Sequence, residues 1–88
     1  MPVSVAWLGP NPTSDLVRLR FTLAKAGPVT IDLFDPSGRR VASAYRDELM
    51  TAGTHTVQIS TARLHAGMYV CRVIQADFSV ARKFAIVR

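Results

Sequence analysis

The stretch from Leu64 to Val73, with the sequence LHAGMYVCRV, indicates the fold class of this chain. It contains the pattern Leu-x-Ala-Gly-x-Tyr, and a strand-like alternation of side chains follows directly. In β-sandwich domains this arrangement is a tyrosine corner, in which glycine permits a sharp turn and the tyrosine hydroxyl bonds to the preceding loop. We therefore expect Leu64, Gly67 and Tyr69 to form a structural corner, which indicates a folded β domain and no particular chemistry.

Apolar and polar side chains alternate along most of the remaining chain. The segments with this alternation are Val3–Trp7, Val17–Leu23, Val29–Leu33, Val41–Tyr45, His55–Ile59, Tyr69–Val73 and Phe78–Val87. Short strands separated by turn signals are typical of sandwiches, and the absence of a long helical pattern favours antiparallel pairing. The sequence therefore predicts one all-β domain over residues 1–88, an antiparallel immunoglobulin-like β-sandwich of about seven strands.

Two connections between the strands differ in how well the sequence determines them. Asp35–Gly38 predicts a tight turn, because Asp accepts backbone hydrogen bonds, Pro fixes φ and Gly takes the strained position. The segment from Arg46 to Gly53 is compatible with two structures. Asp47–Met50 has the composition of one helical turn, whereas Ala52-Gly53 would return the chain directly to the next strand.

The expected strand order also predicts which side chains share a face. In an immunoglobulin-like sandwich the third strand lies beside the sixth, and the sixth beside the last. Asp32, Arg72 and Lys83 would then lie on one solvent-exposed face, with an Asp32–Arg72 ion pair worth at most about 1 kcal/mol. The alternation of Trp7 with Val5 predicts that the indole is buried against the core.

Composition excludes several classes of protein. The 88 residues have a hydrophobic share of 49%, which suffices for one small core, and a net charge of +5. The basic residues are spread along the sequence, so nucleic-acid binding is not expected. No apolar run approaches the length of a membrane helix, so no transmembrane segment is expected, and a secretion signal would lie on a longer parent chain or not exist. The single cysteine, Cys71, excludes an intrachain disulfide and fits a small core residue, while the origin of Met1 stays open.

No set of reactive side chains predicts an enzyme. His55 and His65 lack the close His and Cys spacing of zinc sites, so no metal is expected. Ser60, His55 and Asp32 match a hydrolase triad only by residue type, and no Gly-x-Ser-x-Gly turn presents a nucleophile. A chain of this length also leaves little room for an enclosed catalytic pocket. We expect a non-catalytic domain without a cofactor.

Six short motifs occur in the order and spacing of a known domain family. They are Asn11-Pro12, Ala26–Val29, Phe34–Val41, Leu49–His55, Leu64–Tyr69 and Arg82–Phe84. Together, from Val5 onward, they resemble the C-terminal sorting domain of type IX secretion cargo. The related immunoglobulin-like module of flagellar hook-capping proteins is similar at the same places.

The resemblance to the sorting domains implies a secretion address on a bacterial protein that passes through the periplasm and is secreted or held at the cell surface. In that family an outer-membrane translocon recognises the domain at the end of an upstream cargo. A sortase then removes the domain and attaches the cargo to a surface lipid. The positions of this chain that would carry partner recognition are Gly53, Gly67, Arg82 and Lys83.

Two alternatives to sorting belong to other classes of function. One is a structural spacer or assembly domain like the hook-capping module. The other is a small adhesin or carbohydrate-binding module that uses Trp7 and the loops. The last strand would lie at a sheet edge, where another copy could pair with it, so the expected state is a monomer or a weak dimer.

Overall fold

The computed structural model describes residues 3–10 and 12–87, so Met1 and Asn11 lie outside the described residues. Within these ranges the chain forms seven strands: β1 (Val3–Gly9), β2 (Leu16–Leu23), β3 (Gly27–Phe34), β4 (Arg40–Met50), β5 (Gly53–Ser60), β6 (Gly67–Gln75) and β7 (Phe78–Ile86). They form a three-stranded sheet in the order β1-β2-β5 and a four-stranded sheet in the order β4-β3-β6-β7. All neighbouring strands are antiparallel, which confirms the predicted all-β fold. The same residues contain no helix that is long and apolar enough to cross a membrane.

The core lies between the two sheets because every second side chain of a strand points to the same face. On β2, Leu19 and Phe21 are buried while Arg18 and Arg20 are exposed, as the alternation predicts. The largest completely buried side chains are Phe21 of one sheet and Phe84 of the other. Complete burial of one such side chain contributes about 1.5–3 kcal/mol, so the two rings are major contributors to the core.

The chain enters β6 through a hydrogen-bonded corner. The Tyr69 hydroxyl donates to the backbone carbonyl of His65 at 2.7 Å, and the Tyr69 ring stacks on Phe84 with centroids 6.0 Å apart. Leu64 packs against the core, and Gly67 has a φ of +154°. Tyr69 therefore joins the loop, the start of β6 and the core through one side chain.

The predicted burial of Trp7 is wrong, because β1 contains a bulge. Val5 pairs with Phe21 and Trp7 pairs with Arg20, so Ala6 is the extra residue in this strand. A one-residue insertion moves every following side chain to the opposite face. Trp7 thus lies on the outer face beside Arg20 and is 47% exposed.

The segment after Tyr45 is also more extended than predicted. The predicted strand over Val41–Tyr45 is confirmed, but β4 runs on to Met50, so the helical turn considered for Asp47–Met50 does not form. The register shifts near Asp47, which has a φ of +47° and donates its backbone N–H to the hydroxyl of Thr30 at 3.1 Å. This local distortion lets the strand continue, and the chain then turns through Gly53 with a φ of +118°.

The pairing of β3 with β6 is as predicted, but the ion pair is not. Asp32 lies opposite Arg72, and the register places Lys83 on the same face. However, Asp32 is only 5% exposed, since it lies on a central strand between two neighbours. Its Oδ2 lies 4.0 Å from Arg40, and its Oδ1 has no hydrogen-bond partner among the described residues. Arg72 instead lies over the ring of Phe34.

We expect the substitution Tyr69→Phe to lower the free energy of unfolding by about 1 kcal/mol and Tm by about 4–8 °C. It removes the hydrogen bond to His65 and keeps the ring that packs on Phe84. Thermal and urea unfolding followed by circular dichroism measure the change.

Tyr45→Phe is the matched control for this substitution. Tyr45 is half-buried on β4, and its hydroxyl makes no hydrogen bond within the described part of the chain. The free energy of unfolding of the Tyr45→Phe variant should stay within about 0.5 kcal/mol of the wild-type value. Equal losses in the two variants would contradict a structural role for the Tyr69 hydroxyl.

Candidate functional site

The two sheets differ in the side chains that they present to solvent. The outer face of β2 and β5 carries one apolar residue, Leu16, and is otherwise polar, with Arg18, Arg20, Thr22, Thr54, Thr56, Gln58 and Ser60. On the other sheet, β6 presents Met68, Val70, Arg72 and Ile74 to the outside. Outward positions of a solvated antiparallel sheet are usually polar. Three apolar side chains on one strand therefore mark the four-stranded sheet as the face suited to a partner.

A concave surface with a volume of about 470 Å³ lies on this face, beside Tyr69. We call it the corner groove, and its lining includes Phe34, Pro36, Met68, Val70, Arg72 and Lys83. Phe34 pairs with Val70 across β3 and β6, and Val70 pairs with Lys83 across β6 and β7. The groove therefore spans three adjacent strands of a rigid sheet. Met68 at its margin is 51% exposed.

The turn after β3 borders the corner groove with its own charges already paired. Oδ1 of Asp35 accepts the backbone N–H groups of Ser37 and Arg39, each at 3.0 Å, and the Ser37 hydroxyl at 2.6 Å. Nε of Arg39 lies 3.5 Å from Oδ2. The Ser37 hydroxyl is the largest cause that holds the pKa of Asp35 below its ordinary value, followed by the Arg39 backbone. Gly38, with a φ of +89°, completes the turn that the sequence predicts.

Arg72 and Lys83 are cations of the corner groove that lack an acidic partner. Among the described residues, no carboxylate oxygen lies within 4.0 Å of either side chain. The guanidinium carbon of Arg72 lies 5.1 Å from the centroid of the Phe34 ring, within the range of a cation–π contact. The groove therefore combines an apolar lining with two cations that form no ion pair with a described acid.

The four residues predicted for partner recognition do not form one cluster. Gly53 pairs with Leu23 and Gly67 pairs with Ile86, which places the two glycines at opposite ends of the sandwich. The longest dimension of the molecule is 37 Å. A single small contact cannot include both glycines.

The two predicted cations of β7 also point to opposite faces. Lys83 lies in the corner groove on the outer face. Arg82 pairs with Cys71, whose side chain is in the core, so Arg82 lies on the inner side of this edge strand and remains exposed. Their role in partner recognition stays a prediction.

The backbone conformation explains why positions 53 and 67 are occupied by glycine. Gly53 and Gly67 both have positive φ values, +118° and +154°, which L side chains rarely adopt. A Cβ on Gly53 would meet no atom within 4 Å, and one on Gly67 would come only to 3.9 Å from the Tyr69 ring. Both glycines are therefore explained by chain conformation, without a partner.

The reactive side chains are separated by the fold. Ser60 and His55 belong to β5, whereas Asp32 lies on the outer face of the other sheet, so the three do not form a triad. His55 bonds to the carbonyl of Thr51 at 2.7 Å. Across residues 3–10 and 12–87, no group of His, Cys, Asp or Glu side chains is arranged to hold a metal ion.

Cys71 lies in the core, as its place in the strand pattern predicts. It is 2% exposed, and burial, with a smaller effect of the Asp32 charge, raises its pKa to about 12. A thiol with this pKa is protonated at neutral pH and is a poor nucleophile.

The apolar part of the corner groove was not predicted from the sequence. The signal was present, because β6 reads MYVCRVI from Met68 to Ile74 and carries apolar residues on both faces. Such a run indicates a strand that is covered on both sides. Among the described residues no second sheet packs on its outer face, where Met68 is half-exposed and Val70 and Ile74 are partly buried.

The chain is similar to a known domain family. A sequence model described as a secretion system C-terminal sorting domain matches residues 8–87, which is most of the chain. No curated protein sequence matches the chain significantly.

We expect the Cys71 thiol to be unreactive toward a thiol reagent in the folded protein. With a pKa of about 12, the thiolate fraction at pH 8 is about 10⁻⁴, and burial further blocks access. Labelling should be at least about a hundredfold slower than in the urea-unfolded chain. Ser79→Cys, on the exposed outer face of β7, provides a fast-reacting control, and equal rates at both positions would contradict the buried placement.

We expect Asp35→Asn to be less stable than the wild type at neutral pH and nearly as stable in acid. The pKa of Asp35 is lower in the folded chain than its ordinary value of 3.8. Its contribution is therefore complete above that value and is lost as the pH falls through the folded pKa. Urea unfolding at neutral and acidic pH measures this difference. The control is Asp77→Asn, at the exposed tip between β6 and β7, which should show no such difference between the two pH values. If Asp35→Asn were as much less stable than the wild type in acid as at neutral pH, the stabilising role of the Asp35 carboxylate would be contradicted.

Proposed function

The chain belongs to the family of secretion system C-terminal sorting domains, and from this membership we propose that it directs a cargo protein to the type IX machinery by displaying a folded surface. Members of the family are sorting signals for type IX secretion, and they mark proteins that are secreted or attached to the cell surface. The family is not known for catalysis. The observation that carries the proposal is the match over residues 8–87, which includes nearly all of the sandwich.

A sorting domain of this type works through recognition and carries out no chemical step. What it offers a receptor is a fixed arrangement of side chains on a rigid sheet, which loses little conformational entropy on binding. The close pairing of β3, β6 and β7 supports this role, because these strands hold Phe34, Val70 and Lys83 in fixed relative positions.

Among the residues predicted for recognition, we assign the direct contact to Lys83. It lies in the corner groove, which the turn over Asp35–Gly38 also lines. Gly53 and Gly67 contribute by setting the backbone at their turns, and Arg82 by placing charge at the sheet edge. Removal of the domain by a sortase and attachment of the cargo to a surface lipid belong to the same proposal.

The structural-spacer alternative assigns no binding surface to the domain. The carbohydrate-binding alternative is favoured by the exposure of Trp7, since aromatic rings can stack on sugars. Part of that ring lies against Gly9, where an added Cβ would come within 2.7 Å of it. This contact leaves less of the ring free to stack on a sugar, so we rank the sorting role above carbohydrate binding.

The test is a delivery assay in a bacterium with a working type IX system. A reporter enzyme is placed between a periplasmic signal peptide and this chain, and surface reporter is measured on intact cells. We expect delivery of the fusion and retention of the reporter in the periplasm when the chain is omitted or the type IX system is inactivated.

A folding variant separates the effect of the domain from the effect of the added residues. Phe21→Asp places a charge at a completely buried position and should unfold the sandwich. We expect its fusion to stay in the periplasm. Retention of the wild-type fusion, with the domain intact and the type IX system active, would reject the proposed function.

A further inference from the structure

We propose that the corner groove binds an acidic segment of a partner protein, in which carboxylates flank an aromatic or branched apolar side chain. This inference deepens the proposed function and rests on it, since it names the part of the domain that the type IX machinery would contact. Four features of the groove support it: its apolar lining, its unpaired cations, its shape and its rigidity.

The apolar lining can hold one large side chain. Phe34 and Val70 are half-buried on adjacent strands, and Met68 is half-exposed next to them. The volume of about 470 Å³ falls in the range of small binding pockets, about 300–1,000 Å³. Contact of a partner's apolar side chain with this lining would remove apolar surface from water, which favours binding.

The charges determine the chemistry of the segment. Asp35 and Asp32, the acids nearest to the groove, are each close to an arginine of the adjoining turn or strand. Arg72 and Lys83 remain without an acid among the described residues, and the whole chain has a net charge of +5. Carboxylates beside the apolar side chain of the bound segment would form ion pairs with these two cations. An acidic segment therefore fits the groove better than a neutral or basic one.

Arg72 is already placed for this contact. Its guanidinium lies over Phe34, so the aromatic ring restricts its movement while the N–H groups around its edge can still donate. A planar guanidinium binds a carboxylate through two parallel hydrogen bonds, and a preplaced one loses little entropy on doing so.

The same features disfavour a lipid surface and a second copy of the chain. Anchoring on a membrane uses apolar side chains that protrude from a basic surface, whereas Phe34 and Val70 line a concavity. Two copies would each bring a net charge of +5, and the acid that lines the groove, Asp35, is already paired with Arg39. An acidic protein segment avoids both difficulties.

A binding experiment tests the proposal on the purified chain. The probe is a short fluorescein-labelled peptide with one Phe between two pairs of acidic residues, and a second peptide carries Lys at the acidic positions. We expect the acidic peptide to bind, the Lys peptide not to bind, and the double variant Arg72→Glu/Lys83→Glu to weaken binding by about tenfold or more.

A charge-matched variant separates the groove from the overall charge. Arg18→Glu/Arg20→Glu changes the net charge by the same amount on the polar face of the other sheet. Its affinity for the acidic peptide should stay within about twofold of the wild type. Thermal unfolding checks that the variants are folded, and Met68→Gln/Lys83→Gln replaces the first pair if that pair unfolds.

Three results of the binding experiment, and one on the oligomeric state, would overturn the proposal. They are equal weakening by both charge reversals, no preference for the acidic peptide, and groove-dependent binding of anionic phospholipid vesicles without binding of the peptide. Dimerisation that the groove variant abolishes would also overturn it, because the groove would then be occupied by a second copy.

The delivery assay connects this result to sorting and keeps the two proposals distinguishable. Surface reporter should fall about tenfold or more for the groove variant and stay near the wild-type level for Arg18→Glu/Arg20→Glu. If the wild-type fusion is not delivered, the sorting role is rejected, and the peptide-binding experiment still tests whether the groove binds an acidic segment. If both variant fusions are delivered like the wild type, the groove inference fails and the sorting role stands.

Discussion

The antiparallel register between β3 and β6 is the constraint on which the candidate site depends. It sets Phe34 opposite Val70 and Asp32 opposite Arg72, so the residues of the corner groove are brought together by backbone pairing. A shift of one residue would turn the buried Val73 outward and Arg72 into the core. The register that keeps the inner side chains buried therefore also determines which side chains lie on the outer face. The Tyr69 corner anchors the end of β6 where the groove lies.

The sequence was sufficient for the parts of the fold that follow the two-residue period without interruption. The alternation in β2 predicts Leu19 and Phe21 inside and Arg18 and Arg20 outside, and the structure has this arrangement. The prediction failed at β1 because a bulge at Ala6 inverts the following residues, and bulges have no reliable sequence signal.

The candidate site was only partly predictable for a related reason. Periodicity places Arg72 and Lys83 on one face, and the strand order confirms it, but periodicity does not determine rotamers. Arg72 had two partners within reach, the Asp32 carboxylate and the Phe34 ring, and the structure selects the ring. Asp32 is closer to Arg40, which comes from a strand whose full extent the sequence left open. The resemblance to sorting domains, by contrast, was carried by motifs along the whole chain, and the family match confirms it.

The sheet edges explain why a partner would approach the face of the four-stranded sheet. Strand β7 lies at an edge, but Thr13 pairs with Ile86 there and bonds to Ala85 and Val87, which occupies its last residues. Further along, Arg82 places a charge on the inner side of the strand, a feature that discourages strand addition at exposed edges. The opposite edge, β4, is distorted at Asp47. With both edges of this sheet poorly suited to backbone pairing, a partner that contacts the four-stranded sheet would use side-chain recognition on the face between them.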